Sequence, residues 1–363
     1  MNTHDGFMRV CFDLARKGLG SVSPNPLVGA VLVKNNRIIS TGYHKKFAGP
    51  HAEVDCLNNC EGDPRGATMY VNLEPCCYHG KTPPCTELLI RTGIQRLVVA
   101  MKDPNPLVAG KGLRSLKQAG IRVENGVLES EAVDLNRWFI VNMKRRRPYV
   151  HLKVAQSLDG RITSGRNRAE RISSKESHAL VHQWRSTHDA ILVGAGTILA
   201  DNPRLNVRYA RGRTPAVIIL DGRLSLHENS QVLKSISSRR VIVCTGEAGT
   251  KRIVEKIERL RSQGVEVMTF KRKRDEMLDL HQVMGRLFEE GIGSVMVEGG
   301  ARTFAGFSGS SLVDQLSVFV APKLFNSGVV AFQESGKLRN RLKAARITSQ
   351  SIGPDILVQA FFT

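Results

Sequence analysis

The chain has 363 residues, 41% hydrophobic and 24% charged, the balance of a folded globular protein with length for two or three domains. Lysine and arginine number 53 against 33 aspartate and glutamate, a formal +20. That excess fits nucleic acid, phosphorylated small substrates or a phosphorylated cofactor alike. No apolar run approaches bilayer-spanning length, and Asp5 and Asp13 interrupt any signal-like stretch.

A helix is expected from about Asp5 to Lys17, with Phe7, Val10, Cys11 and Leu14 on one face, and Ser23-Pro24-Asn25-Pro26 breaks it. Residues 28–33 and 38–40 around Asn35-Asn36-Arg37 read as a hairpin. His51 to Cys60 has helical character, and 68–73 is a strand by its β-branched and aromatic content. A helix over 86–93, a strand over 96–100 and a helix over 112–120 follow. The basic run Met143 to Tyr149 reads as a solvated linker, with Pro148 resisting helix continuation. A nucleic-acid arm is the alternative. Beyond it come strands at 150–155, 190–194, 217–220, 241–244, 265–270, 294–298 and 316–321. Helices fill 174–188 and end at Glu289. Strands alternating with helices imply layered α/β structure.

Seven cysteines form a poor disulfide framework, since three crowd at 76, 77 and 85. That suits a reducing cytoplasm and one metal or catalytic cluster. A catalytic zinc takes three protein ligands and keeps one position for water. His51, Cys76 and Cys85 would supply them. Glu53, two residues past His51, is placed to move protons to and from that water, whose pKa zinc lowers to about 7. His-x-Glu followed by Pro-Cys is the pattern of the zinc deaminases, which attack a ring carbon bearing an amino group. Cys77 or His79 could compete as ligands; Pro75 favours Cys76, and His79 is read as facing substrate or supporting the ligands. Cys11, Cys56 and Cys60 are assigned to packing. In the second half, Val193-Gly194-Ala195-Gly196-Thr197 and the run from Val297 through Gly299 and Gly300 to Gly306 each follow a strand. Glycine admits close backbone approach there, and amides at a following helix start can hold phosphate.

With its flanks Ser23 to Gly29, Gly42-Tyr43-His44 and Asp103 to Gly112, the first motif resembles the deaminase half of the bifunctional riboflavin-biosynthesis deaminase–reductase family. Transfer RNA and nucleoside deaminases usually carry P-C-x-x-C, whereas eight residues separate Cys76 from Cys85 here. The family motif commonly reads P-C-S-H-x-G-x-T-P-P-C; Cys77 and Tyr78 replace its Ser and first His. Lys153 to Arg161, Ala200 to Arg208, Val297 to Gly300 and Ala321 to Leu324 resemble the reductase half, which is similar to dihydrofolate reductase.

The resemblance implies an α/β fold: a cytidine-deaminase-like layered domain over 1–145, then a dihydrofolate-reductase-like α/β domain over 146–363. It implies zinc-dependent hydrolytic deamination of 2,5-diamino-6-ribosylamino-4(3H)-pyrimidinone 5′-phosphate, then NADPH-dependent reduction of the ribosyl to the ribityl chain. Asn25 and His44 would line the pyrimidine pocket. Ala155, Thr197, Asp201 and the turn Gly300, Ala301, Arg302, Thr303, Phe304, Ala305 and Gly306 would contact NADPH. Arg185, Leu205, Arg208 and Glu298 would hold substrate, the two arginines meeting its phosphate. Lys153 and Asp159 would stand near the reduced carbon. Arg171 replaces a common Trp, and the segment from Asn167 carries extra residues. The partners implied are the phosphorylated pyrimidine and NADPH, without nucleic acid or membrane, and a homo-oligomer is allowed. The rivals are a transfer RNA or polynucleotide deaminase with an unrelated C-terminal domain, and a non-catalytic partner on a degenerate deaminase fold.

Overall fold

The computed structural model describes residues 3–79, 83–106, 108–165, 171–272, 277–332 and 342–362. The chain folds as two compact units, Met1–Arg146 and Arg147–Thr363.

The first unit runs α1 His4–Arg16, β1 Gly29–Lys34, β2 Arg37–Tyr43, α2 Ala52–Asn58, β3 Thr68–Leu73, α3 Cys85–Thr92, β4 Arg96–Met101, α4 Lys111–Gln118, β5 Arg122–Asn125, α5 Glu129–Leu135 and α6 Arg137–Arg145. The Thr3 hydroxyl caps α1 by accepting from the Gly6 amide. Asn35 and Asn36 adopt φ of 50° and 60°, the left-handed pair that a tight hairpin turn requires. The sheet order is β2-β1-β3-β4-β5, with β1 antiparallel to both neighbours and β3, β4 and β5 parallel. Alternate strand residues serve two cores. Val31, Tyr70 and Val98 pack with Phe7, Phe12 and Phe139 from α1 and α6. Leu32, Met69 and Leu97 pack with Ala52, Leu89 and Leu116 from α2, α3 and α4. Glycine sets the closest approaches. A Cβ on Gly29 would lie 2.1 Å from the Cys11 carbonyl, and one on Gly42 2.2 Å from the Cys56 nitrogen.

The second unit runs β6 Tyr149–Ser157, β7 Arg161–Thr163, α7 Lys175–Thr187, β8 Ala190–Gly194, α8 Ala195–Asp201, β9 Ala216–Leu220, β10 Val241–Gly246, α9 Lys251–Ser262, β11 Glu266–Phe270, α10 Leu280–Glu289, β12 Ser294–Gly299, α11 Ala301–Ser308, β13 Gln315–Ala321, β14 Val329–Val330, β15 Arg346–Ile352 and β16 Asp355–Phe361. The main sheet has the order β11-β10-β9-β8-β12-β6-β13-β16-β15. It is parallel from β11 to β13, and β16 and β15 add antiparallel. Its central strands are buried on both faces, which explains their near-continuous apolar runs. Val181, Ile198 and Ile257 put α7, α8 and α9 against one face. Met284, Leu287, Phe304 and Phe307 put α10 and α11 against the other.

The basic run at the unit boundary departs from a solvated linker. Met143 to Arg145 belong to α6, and Lys144, Arg145 and Arg146 are exposed as expected. Arg147 is buried, because fully buried Asp314 receives its Nη1 at 2.6 Å and Nη2 at 2.8 Å. No helix among the described residues is long and apolar enough to cross a membrane.

Candidate active sites in the two units

His51 ends an extended segment as the N-cap of α2, and Cys85 opens α3 behind Pro84. Two helix starts therefore deliver two of the candidate ligands. Cys76 follows β3, and its segment is tied to α3 by the Thr86 amide donating to the Cys76 carbonyl at 3.2 Å. His51 Nδ1 lies 3.2 Å from Cys85 Sγ and 3.5 Å from Cys76 Sγ. All three donor atoms fall within 4.8 Å of one another. One imidazole and two sulfurs are the donor set zinc prefers, so the residues fit a zinc ion. Cys77 stands outside this cluster.

Protons are shared tightly here. A hydrogen bond from the Cys85 thiol holds Cys76 down at about 4, and the same bond with burial pushes Cys85 far above its ordinary value. The bond to Cys76 holds His51 up at about 9. Metal binding would displace those protons. Glu53, on the first turn of α2, is buried, and burial raises its carboxyl against the opposing charge of His51. A buried carboxyl so tuned suits proton transfer.

Asn25 and His44 come together beside this cluster. His44 Nδ1 donates to the Pro50 carbonyl at 2.8 Å, which leaves Nε2 to accept from Asn25 Nδ2 at 3.0 Å. Burial keeps that imidazole neutral by lowering its pKa. The His44 and His51 rings meet edge to face, 5.9 Å between centroids. Asn72 and Asn136 pin the backbone of Leu27 and Gly29 that carries Asn25 into place. His79 is exposed and pairs with Glu87, on the first turn of α3, at 3.2 Å.

Glu74 escaped the sequence reading. Its buried carboxylate accepts from the amides of Asp103, Gly110 and Leu113, so it clamps the 103–113 loop behind the Cys76 segment. A Cβ on Gly112 would stand 2.4 Å from the Pro75 carbonyl, so that approach requires glycine. The signal was a Glu adjoining Pro75-Cys76. Asp103 sits in that loop with burial raising its carboxyl to about 6.

In the second unit β8 and β12 are neighbours whose following helices leave to opposite faces, α8 to one and α11 to the other. Such a switch point, at the carboxyl ends of parallel strands, opens a crevice for a nucleotide. Gly194 and Gly300 are the two N-caps. A Cβ on Gly194 would lie 2.5 Å from Thr303 Oγ1, and one on Gly300 3.4 Å from Thr197 Oγ1, so the glycines keep the two helix starts close. The first amides of each helix lack intrahelical acceptors and suit a pyrophosphate. These residues fit NADPH. Asp201 closes α8, its carboxyl raised by burial.

The expected turn from Gly300 to Gly306 is instead the start of α11. Phe304 and Ala305 are buried on the core side, and a Cβ on Gly306 would meet Met277 and Leu280. Phe304 and Phe307, three apart, face the sheet, and Gly300 through Thr303 form the first turn at the crevice end of the helix.

Lys153 lies on β6 two residues before half-buried Ala155. Burial lowers its pKa, against the pull of Glu298. Glu298, at the end of β12, is gripped by Arg185: Nε and Nη2 each reach it at 2.6 Å. Arg185 Nη1 reaches the Asn206 carbonyl at 3.1 Å. Leu205, at φ 49°, is fixed by Arg239 Nη1 on its carbonyl at 2.6 Å. Arg208 is exposed, its amide donating to His182 Nδ1 at 3.0 Å.

Asp159, expected near the reduced carbon, is engaged by its own loop. Its carboxylate accepts from Ser157 Oγ at 2.6 Å and from the Phe325 and Asn326 amides at 3.1 and 2.9 Å. Those bonds hold its pKa down and make it a loop clamp. Residues 166–170, where extra residues put cofactor contacts in question, lie outside the described residues.

Two units, one with a zinc-type deaminase site and one with a dinucleotide crevice at a switch point, define a fused deaminase and nicotinamide reductase. Residues 1–101 match the cytidine and deoxycytidylate deaminase zinc-binding region, and 148–358 match the RibD C-terminal domain. The chain is 38% identical over 356 residues to riboflavin biosynthesis protein RibD of Actinobacillus pleuropneumoniae, spanning 97% of this chain and 93% of that protein. To the Aquifex aeolicus protein of that name it is 39% identical over 355 residues, 97% and 96% of the two. The crystal structure of a diaminohydroxyphosphoribosylaminopyrimidine deaminase/5-amino-6-(5-phosphoribosylamino)uracil reductase from Thermotoga maritima is similar at TM-score 0.83 and 37% identity over 99% of each chain. Acinetobacter baumannii RibD gives 0.87 and 33%, also over 99% of each. The chain belongs to the RibD family and is a bifunctional deaminase and reductase of riboflavin biosynthesis, with Zn2+ and NADPH as its cofactors. The match over 148–358 removes the rival in which the C-terminal half is an unrelated tail.

Proposed function

We propose that residues 1–145 carry the deamination and 146–363 the reduction, each through the side chains assembled above. His51, Cys76 and Cys85 would hold Zn2+, which when bound lowers the pKa of a water to near neutrality. Glu53 takes a proton from the attacking water and returns one to the departing ring amino group, which leaves as ammonia. His44, both of its ring nitrogens taken by Pro50 and Asn25, orients the Asn25 amide, whose remaining N–H and side-chain oxygen offer a paired donor and acceptor to the pyrimidine edge. Asn72 and Asn136 keep them in register.

In the second unit NADPH supplies the hydride. Lys153 stands on the same strand as Ala155 and orients the sugar end that is reduced, under the electrostatic pull of Glu298. Arg185 spends three of its five N–H donors on Glu298 and Asn206, so two remain for substrate. Exposed Arg208 takes the phosphate. The +20 charge serves a phosphorylated substrate and NADPH rather than nucleic acid, and the free thiols suit the cytoplasm.

The observation that carries the assignment is the convergence of His51 Nδ1, Cys76 Sγ and Cys85 Sγ within 4.8 Å beside buried Glu53. Incubation with the diaminopyrimidinone phosphate should release ammonia without NADPH. Glu53→Ala should slow that release by roughly 10²–10⁴-fold and leave reduction of the already deaminated intermediate intact. Loss of both steps in a folded variant would refute independent sites.

A further inference from the structure

The segment from Arg204 to Arg208 is held unusually firmly for a stretch without helix or strand. Arg239 donates to the Arg204 and Leu205 carbonyls, Arg185 Nη1 to the Asn206 carbonyl, and the Arg208 amide to His182. In that fixed setting the side-chain oxygen of Asn206 is buried and has no hydrogen-bond partner among the described residues. Buried polar atoms are almost always partnered, and an exception at a ligand site points to the ligand. The backbone around Asn206 cannot swing to find another donor, since its neighbours are anchored on three side chains.

The position limits what the missing donor is. Asn206 is bonded to Arg185, which grips Glu298 beside Lys153, and it stands two residues before Arg208. Lys153 and Glu298 belong to the end of the substrate where reduction occurs and Arg208 to the phosphate end, while Arg185 ties Glu298 to the Asn206 carbonyl between them. Between those ends of a ribosyl phosphate lie its hydroxyl groups, each a donor. We propose that Asn206 is a substrate-positioning residue of the reductase, its side-chain oxygen accepting a hydrogen bond from a hydroxyl of the ribosyl chain. The assignment rests on the reductase roles given above. It makes the site selective for a hydroxylated chain, because a substrate lacking that hydroxyl leaves the oxygen buried and unpaired.

The test compares the deaminated ribosylamino substrate with its 2′-deoxy and 3′-deoxy analogues, in the wild type, Asn206→Leu and Asn206→Asp. Leucine removes the acceptor at similar volume, and aspartate keeps one. In the wild type one deoxy analogue should lose about 10-fold or more in kcat/KM. Asn206→Leu should lose a comparable factor on the ribosyl substrate and nothing further on that analogue. Asn206→Asp should retain the discrimination. The urea midpoint read by Trp184 fluorescence in a Trp138→Phe background reports that the second unit of each variant is folded. Equal losses for Asn206→Leu on all three substrates would mean a scaffolding role or a different donor, and no loss would mean no contact; either overturns the proposal. A wild type that reduces none of them with NADPH would instead overturn the reductase roles beneath it.

Discussion

Cys76 and Cys77 share a backbone neighbourhood and differ in what their sulfurs meet. Cys76 accepts from the Cys85 amide at 3.3 Å and faces His51, whereas Cys77 is half-buried with its thiol raised by burial. Cys76→Ser should therefore reduce bound zinc from about one ion per chain to a small fraction, and Cys77→Ser should leave it near one. Elemental analysis of the purified proteins decides, and equal zinc in both variants would return Cys77 to the ligand set. The sequence made the ligands readable because proline and cysteine adjoin at 75–76 and 84–85, a pairing that packing alone does not call for. It could not show Glu74 or His182, whose value lies in which amides reach them: three from 103–113 for one, that of Arg208 for the other. Nor could it show that Asp159 is occupied, since the Phe325 and Asn326 amides come from far along the chain.

Elements with a strong period were legible, and those defined by partners were not. Parallel strands such as β8, β9 and β10 announce themselves as β-branched runs because both faces are buried. β15, Arg-Ile-Thr-Ser-Gln-Ser-Ile, is exposed along nearly its whole length and exists through pairing with β16, so its composition carries little signal. The boundary run was misjudged for a similar reason: Arg147 looks like its exposed neighbours until Asp314 is seen to meet it. That pair also organises β6, since Asp314 Oδ2 accepts from the Val150 amide at 2.9 Å. Removing one partner strands a buried charge, whereas removing both need not. Asp314→Ala should destabilise the second unit by about 3–5 kcal/mol, and Arg147→Met with Asp314→Leu should recover most of the loss. Trp138 and Trp184 lie in different units. Urea unfolding followed by Trp184 fluorescence in a Trp138→Phe background therefore reads the second unit. A small loss for Asp314→Ala would show that the ion pair is a surface contact in energetic terms.

At the scale of the whole molecule the formal +20 comes from lysine and arginine alone, and the second unit holds in addition a set of imidazoles whose pKa values burial lowers. His151, buried, contacts His188 Nε2 at 3.3 Å and Ser317 Oγ at 2.8 Å, and burial pushes both histidines below their ordinary range. His182 is lowered to about 4 by burial and by Arg185 and Arg208, against the pull of Glu298. A histidine whose folded pKa lies below its unfolded value, about 6.5, is neutral in both states at higher pH, so its contribution is then complete. As pH falls through about 6.5 the unfolded chain takes up the proton first, and stability is lost until the folded pKa is reached. For His182 that window runs from 6.5 to about 4. Glu298 and Asp159 are lowered carboxylates whose loss begins only near the ordinary carboxylate range, about 4, beneath the interval from pH 7.5 to 5. Asp201, raised by burial, works in the opposite sense but is one group against four, since burial lowers His178 as well. The second unit should accordingly lose stability between pH 7.5 and pH 5. The Trp184 urea midpoint should fall over that interval with its slope unchanged, and His182→Gln should flatten part of the fall. A midpoint that stays level from pH 7.5 to 5 in the otherwise unaltered protein would mean that these imidazoles titrate as they do in the unfolded chain.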